Sequence, residues 1–97
     1  MVNLRDLEQV IDASRTKGIK VLVRFKGIKN LIMIDGEIKA INVEGLKIPW
    51  SRAFQKPPQV VIDTYPVERI EVICGDEVVA SYSSFNELVK SLSMLEC

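Results

Sequence analysis

Residues 18–45 read GIKVLVRFKGIKNLIMIDGEIKAINVEG, and the glycines in this stretch decide the fold. Gly18, Gly27, Gly36 and Gly45 fall nine residues apart each time. Turn signals repeating at about 8–12 residues mark short strands in a meander, sandwich or barrel. Between the first two glycines, Ile19, Val21, Val23 and Phe25 alternate with Lys20, Leu22 and Arg24, the pattern of a half-buried strand. Leu31-Ile32-Met33-Ile34 is apolar at every position, so both its faces are covered, either by sheet interior and a helix or by a second subunit. Asp35-Gly36 is a hairpin turn signal, and Glu44-Gly45 turns the chain again.

Outward from this block, Asn3 is placed to cap a helix over residues 3–17, with Asp6 in its first turn and Gly18 as its stop. Leu4, Leu7, Val10 and Ile11 form its apolar stripe. Strands are expected at 19–25, 30–34, 37–43, 46–49, 59–65, 67–74 and 77–82. Ser84 and Glu87 have capping-box spacing at the start of a last helix over 84–95, with Phe85, Leu88, Val89 and Leu92 on one face. Prolines at 49, 57 and 58 bound the one long irregular segment, a loop or a single helical turn. The length of 97 residues suits one domain, with a core large enough to fold without staples.

The expected class is α+β and rich in strand: a small bent antiparallel sheet or a small barrel of about five to seven strands between two helices. This element order resembles the Sm-like and SH3-type small β-barrel domains over residues 4–73. The resemblance implies a barrel and, for the Sm family, uridine-rich RNA as ligand. Gly36 fits the glycine of the first Sm motif, but Asn42 stands at its acid and Gly45 where its asparagine should be. Ile62-Asp63-Thr64 replaces the Ile-Arg-Gly triplet of the second motif. The base-reading pocket is therefore not carried over.

The formal net charge is zero, yet the charges are segregated. Residues 15–56 hold ten of the thirteen basic side chains against three acids, a net of seven positive charges. Residues 1–14 hold one base against three acids, and residues 57–97 two bases against seven. Such asymmetry points to a charged partner. Lys20 and Arg24 share one strand face and Lys26 and Lys29 follow in its turn, a spacing that tracks a phosphate backbone or guards a strand edge. Trp50, Arg52, Phe54 and Lys56 alternate aromatic and basic residues. Extended, they would offer stacking surfaces between phosphate contacts; helical, Trp50 and Phe54 would share a face at i, i+4 and plug the core. The scattered acids of the C-terminal part either form solvated surface or attract the basic block of a second copy.

Catalytic signals are nearly absent: there is no histidine, no phosphate-binding glycine loop and no nucleophile elbow. The expected function is a small non-enzymatic binding module for a nucleic-acid backbone, through Lys20, Arg24, Lys26, Lys29, Trp50, Arg52 and Lys56, with no metal or cofactor. The second reading is a protein-interaction or assembly subunit, a homo-oligomer or part of a larger complex. No membrane span is expected, because the longest apolar run is four residues. The N-terminus has no cationic start followed by an apolar stretch, so a cytoplasmic location is expected. In that reducing setting Cys74 and Cys97 are expected as free thiols.

Overall fold

A computed structural model describes residues 3–97. Helix α1 (Leu4–Lys17) is followed by strands β1 (Lys20–Phe25), β2 (Leu31–Ile34), β3 (Ile38–Ile41) and β4 (Lys47–Ile48). A single helical turn, α2 (Trp50–Ala53), and helix α3 (Pro58–Thr64) lead to β5 (Val67–Cys74) and β6 (Glu77–Tyr82). Helix α4 (Phe85–Ser91) and a 3-10 turn, Leu92–Met94, complete the order. The six strands form one antiparallel sheet in the order β4-β3-β2-β1-β5-β6. The sheet is open: among the described residues its edge strands β4 and β6 do not pair, so of the two expected forms it is an antiparallel sheet and not a closed barrel.

The helix ends follow their capping chemistry. Asn3 Oδ1 accepts from the Asp6 amide at 2.8 Å, and Gly18 ends α1 with φ +68°. Ser84 Oγ accepts from the Glu87 amide at 3.2 Å. The Glu87 carboxylate returns one residue further back than a capping box requires, accepting from the Ser83 hydroxyl and amide.

One expected strand is a helix. Residues 59–65 were assigned to the sheet by their β-branched content, but α3 spans Pro58–Thr64. Pro58 sits at its start, where a missing N–H costs nothing. Val60 and Ile62 would share one face of a strand, yet Val60 is exposed while Ile62 is buried beside the buried Val61. The described residues thus form six strands, within the expected five to seven. The strands expected at 37–43 and 46–49 shrink to Ile38–Ile41 and Lys47–Ile48, and the last helix gives way to a 3-10 turn at Leu92.

All the helices contribute to one face of the sheet. Val21, Val23, Phe25, Ile32, Ile34, Ala40, Ile70 and Val72 pack there with Leu7, Val10, Phe54, Val61, Ile62, Phe85, Leu88 and Leu95. The opposite face carries a smaller cluster of Leu22, Leu31 and Ile41, with Met33 and Ile73 against it. This explains why β2 is apolar on both sides: its second face is covered by neighbouring strands, not by a helix. Lys39 lies opposite Met33 in register, so its aliphatic stem can lie along this cluster.

Helix α1 is locked to the β2–β3 turn through the backbone of one residue, Gly36. The Ser14 hydroxyl accepts from the Gly36 amide at 2.9 Å and donates to the Ile11 carbonyl at 2.6 Å. Arg15 donates to the Gly36 carbonyl at 2.7 Å. Ser14 is 3% exposed, so Ser14→Ala strands a donor. Losing such a partner costs about 1–3 kcal/mol. The expected fall in melting temperature is about 5–15 °C in a thermal scan, and one under about 2 °C would show that water replaces the hydroxyl.

The cysteines are not free. Cys74 and Cys97 form a disulfide with Cα atoms 5.5 Å apart, correcting the free-thiol expectation. Leu95 is buried in the core and draws the C-terminal residues back to the end of β5, an approach that 23 residues of sequence separation conceal. Such bonds ordinarily persist in oxidising surroundings, not in the reducing setting that motivated the expectation.

Candidate nucleic-acid interface

The chain brings four aromatic rings together at one end of the sheet. Phe25, the last residue of β1, meets Phe54 at 5.9 Å and Tyr65 at 6.1 Å between ring centroids, both edge to face. Trp50 and Phe54 are 5.0 Å apart, and Phe54 and Tyr65 are 6.4 Å apart. Phe54 is 3% exposed and lies at the centre of the group.

Hydrogen bonds tie the surrounding loops to these rings. The Lys26 amide donates to the Pro66 carbonyl at 2.9 Å, joining the β1–β2 turn to the start of β5. Asn30 Nδ2 donates to the Ala53 carbonyl at 3.5 Å, joining the same turn to α2. The Trp50 indole N–H donates to the Lys56 carbonyl at 2.7 Å, folding the segment after α2 back on itself. The Lys56 ammonium lies 5.8 Å from the centre of the Tyr65 ring, within cation–π range.

The seven candidate residues divide into four groups. Lys26, Lys29 and Lys56 are exposed on the loops just described, and Arg52 is exposed on α2. Among the described residues none of these four forms an ion pair within 4.0 Å. Arg24 is different: its Nε lies 3.0 Å from Glu71 Oε1, a carboxylate also 3.9 Å from Arg69. Other cations of the basic block are matched in the same way, Lys39 by Asp35 at 3.9 Å and Lys47 by Glu37 at 3.4 Å. Lys20 is exposed, but it opens β1 opposite Ile73, at the far end from the β1–β2 turn.

Trp50 forms the fourth group. The extended arrangement that would present it for stacking is absent, because residues 50–53 form a helical turn. Its indole N–H is engaged and its ring packs on Phe54. Its remaining surface borders a shallow groove of about 470 Å³ with Ile38, Ala40, Ile48, Pro49 and Pro58. Two further residues of this end, Asn30 and Tyr65, have no local signal; Tyr65-Pro66 reads only as a break between elements.

Point cations on tied loops, beside partly covered rings, suit a polyanion. They supply long-range attraction and ammonium or guanidinium donors to phosphate oxygens. Among the described residues no three histidine, cysteine or acidic side chains are grouped to hold a metal ion, and no helix is long and apolar enough to cross a membrane. Comparison with protein-family models, curated proteins and solved structures finds no match.

Proposed function

We propose that this protein is a non-enzymatic module that binds a nucleic-acid backbone with little sequence preference, through the end of the sheet formed by Lys26, Lys29, Arg52 and Lys56. The observation that carries the reading is the sorting of its cations. Arg24, Lys39 and Lys47 are matched by carboxylates; these four form no ion pair among the described residues and ride on α2 and on loops held together by hydrogen bonds, whereas Lys20, also without an ion pair, lies at the other end of β1. Surface charges left unmatched at one end attract a polyanion rather than stabilise the fold. Nothing at this end reads base edges, so affinity rests on phosphates and is sensitive to salt.

The test is the anisotropy of a labelled single-stranded oligonucleotide titrated between about 50 and 200 mM salt. Four phosphate contacts give a slope of log K against log salt near about −3 for a single strand, a loss of roughly fifty-fold over that range. Lys26→Ala lowers the slope by about one unit, while Arg24→Ala leaves it unchanged because that charge is already matched. Equal effects of the two substitutions would contradict the sorting. No binding by the wild type would sink the nucleic-acid reading and leave the protein-assembly one.

A further inference from the structure

The two edges of the sheet are protected very differently. Strand β4 is two residues long, carries the exposed Lys47 and runs at once into Pro49, which has no N–H to offer. Short length, lysine and proline are ordinary defences of a strand edge; a bulge is another, and it is the one that β6 has. Strand β6 has six residues, and Val78, Val79, Ala80 and Ser81 at its centre include no charge and no proline. Its register with β5 shifts between Val72 and Ile73, where Val79 is the additional residue. Two consecutive valines are therefore exposed, Val78 by 47% and Val79 by 44%. Among the described residues the outer side of β6 pairs with no strand.

We propose that β6 pairs antiparallel with β6 of a second copy of this chain, about a two-fold axis, so that the two sheets become one. The choice of occupant rests on side-chain and charge complementarity along the strand. A two-fold axis between Val79 and Ala80 sets Val79 of one copy opposite Ala80 of the other, Val78 opposite Ser81, and Glu77 opposite Tyr82. No like charges face each other. The two Glu77 carboxylates stand five positions apart, about 17 Å along the strands, which exceeds the screening length of about 8–10 Å at physiological salt. Parallel pairing would instead set the Asp76-Glu77 turns of both copies side by side, four carboxylates together, which is unfavourable. The contact is isologous and closes at two subunits. It also leaves the cationic ends at opposite extremes of the joined sheet, so dimer formation and nucleic-acid binding are separable.

Sedimentation velocity at concentrations from about 5 to 200 μM tests this, since mass action reveals a dimer of moderate affinity in that range. The wild type is expected to approach twice the 10.9 kDa of one chain as concentration rises. Val79→Lys places a lysine on the edge and is expected to remain monomeric throughout, with an unchanged far-ultraviolet spectrum and melting temperature. Val43→Lys, at another exposed valine, in the β3–β4 turn, is expected to dimerise as the wild type does. A wild type that stays monomeric, a Val79→Lys protein that still dimerises, or a mass that grows without limit would each overturn the two-fold pairing. A short oligonucleotide should bind wild type and Val79→Lys equally, so failure here is distinguishable from failure of the cationic site.

Discussion

Phe54→Ala is expected to lower stability by about 3–5 kcal/mol, the range for truncating a large aromatic in a packed core. Phe54 is 3% exposed and contacts the rings of Phe25, Trp50 and Tyr65. Its removal takes away apolar burial and three aromatic contacts at once. The cavity opens between α2, the end of β1 and the segment after α3, elements joined mainly through these rings and a few hydrogen bonds. Domains of this kind have only about 5–15 kcal/mol in total, so the variant sits near the threshold of folding. Urea unfolding followed by circular dichroism should show a midpoint lower by about 2 M. A loss below about 1 kcal/mol would mean that the neighbouring rings collapse into the space and that the cluster is looser than its geometry indicates.

The second large effect is on binding. Reversing Lys26, Lys29, Arg52 and Lys56 to glutamate is expected to weaken oligonucleotide affinity by about a hundred-fold or more at low salt, because four phosphate contacts are replaced by four repulsions. The fold should tolerate this. The four side chains are exposed and form no ion pair among the described residues, and such surface substitutions usually change stability by less than about 0.5 kcal/mol each. Anisotropy titration with a parallel thermal scan separates the two quantities. The matched set, Lys39→Glu with Lys47→Glu, should weaken affinity far less. If the two sets weaken binding equally, the sorting of cations into matched and unmatched has no functional meaning.

Much of the architecture was legible from local chemistry. The glycines at nine-residue spacing mark the ends of β1, β2 and β3, and Asn3, Gly18 and Ser84 mark helix ends, because each solves a problem of backbone geometry or capping within a few residues. What failed depends on distant partners. Residues 59–65 have strand composition, but Val61 and Ile62 fill the space under the sheet only from a helix that starts at Pro58. Cys74 and Cys97 meet because the buried Leu95 returns the chain, which no spacing rule reveals. Whether the sheet closes depends on whether its edge strands β4 and β6 meet, which no local signal reveals.

The candidate site was legible as residue types and not as an arrangement. The basic block identifies every cation that stands at the end of the sheet. Which of them are neutralised is decided by cross-strand register: β1 beside β5 brings Glu71 to Arg24, and the β2–β3 and β3–β4 hairpins bring Asp35 and Glu37 to Lys39 and Lys47. Alternation around Trp50 points to stacking, yet the helical turn directs the indole to Phe54 and the Lys56 carbonyl.

The most direct test of the central claim is amide NMR of the labelled protein titrated with a single-stranded oligonucleotide. The largest shifts are expected to cluster at Lys26, Lys29, Asn30, Arg52 and Lys56, with Tyr65 among them, and to fade as salt rises. Shifts centred on Lys39, Lys47 and the groove beside Trp50, or no shifts at all, would contradict it.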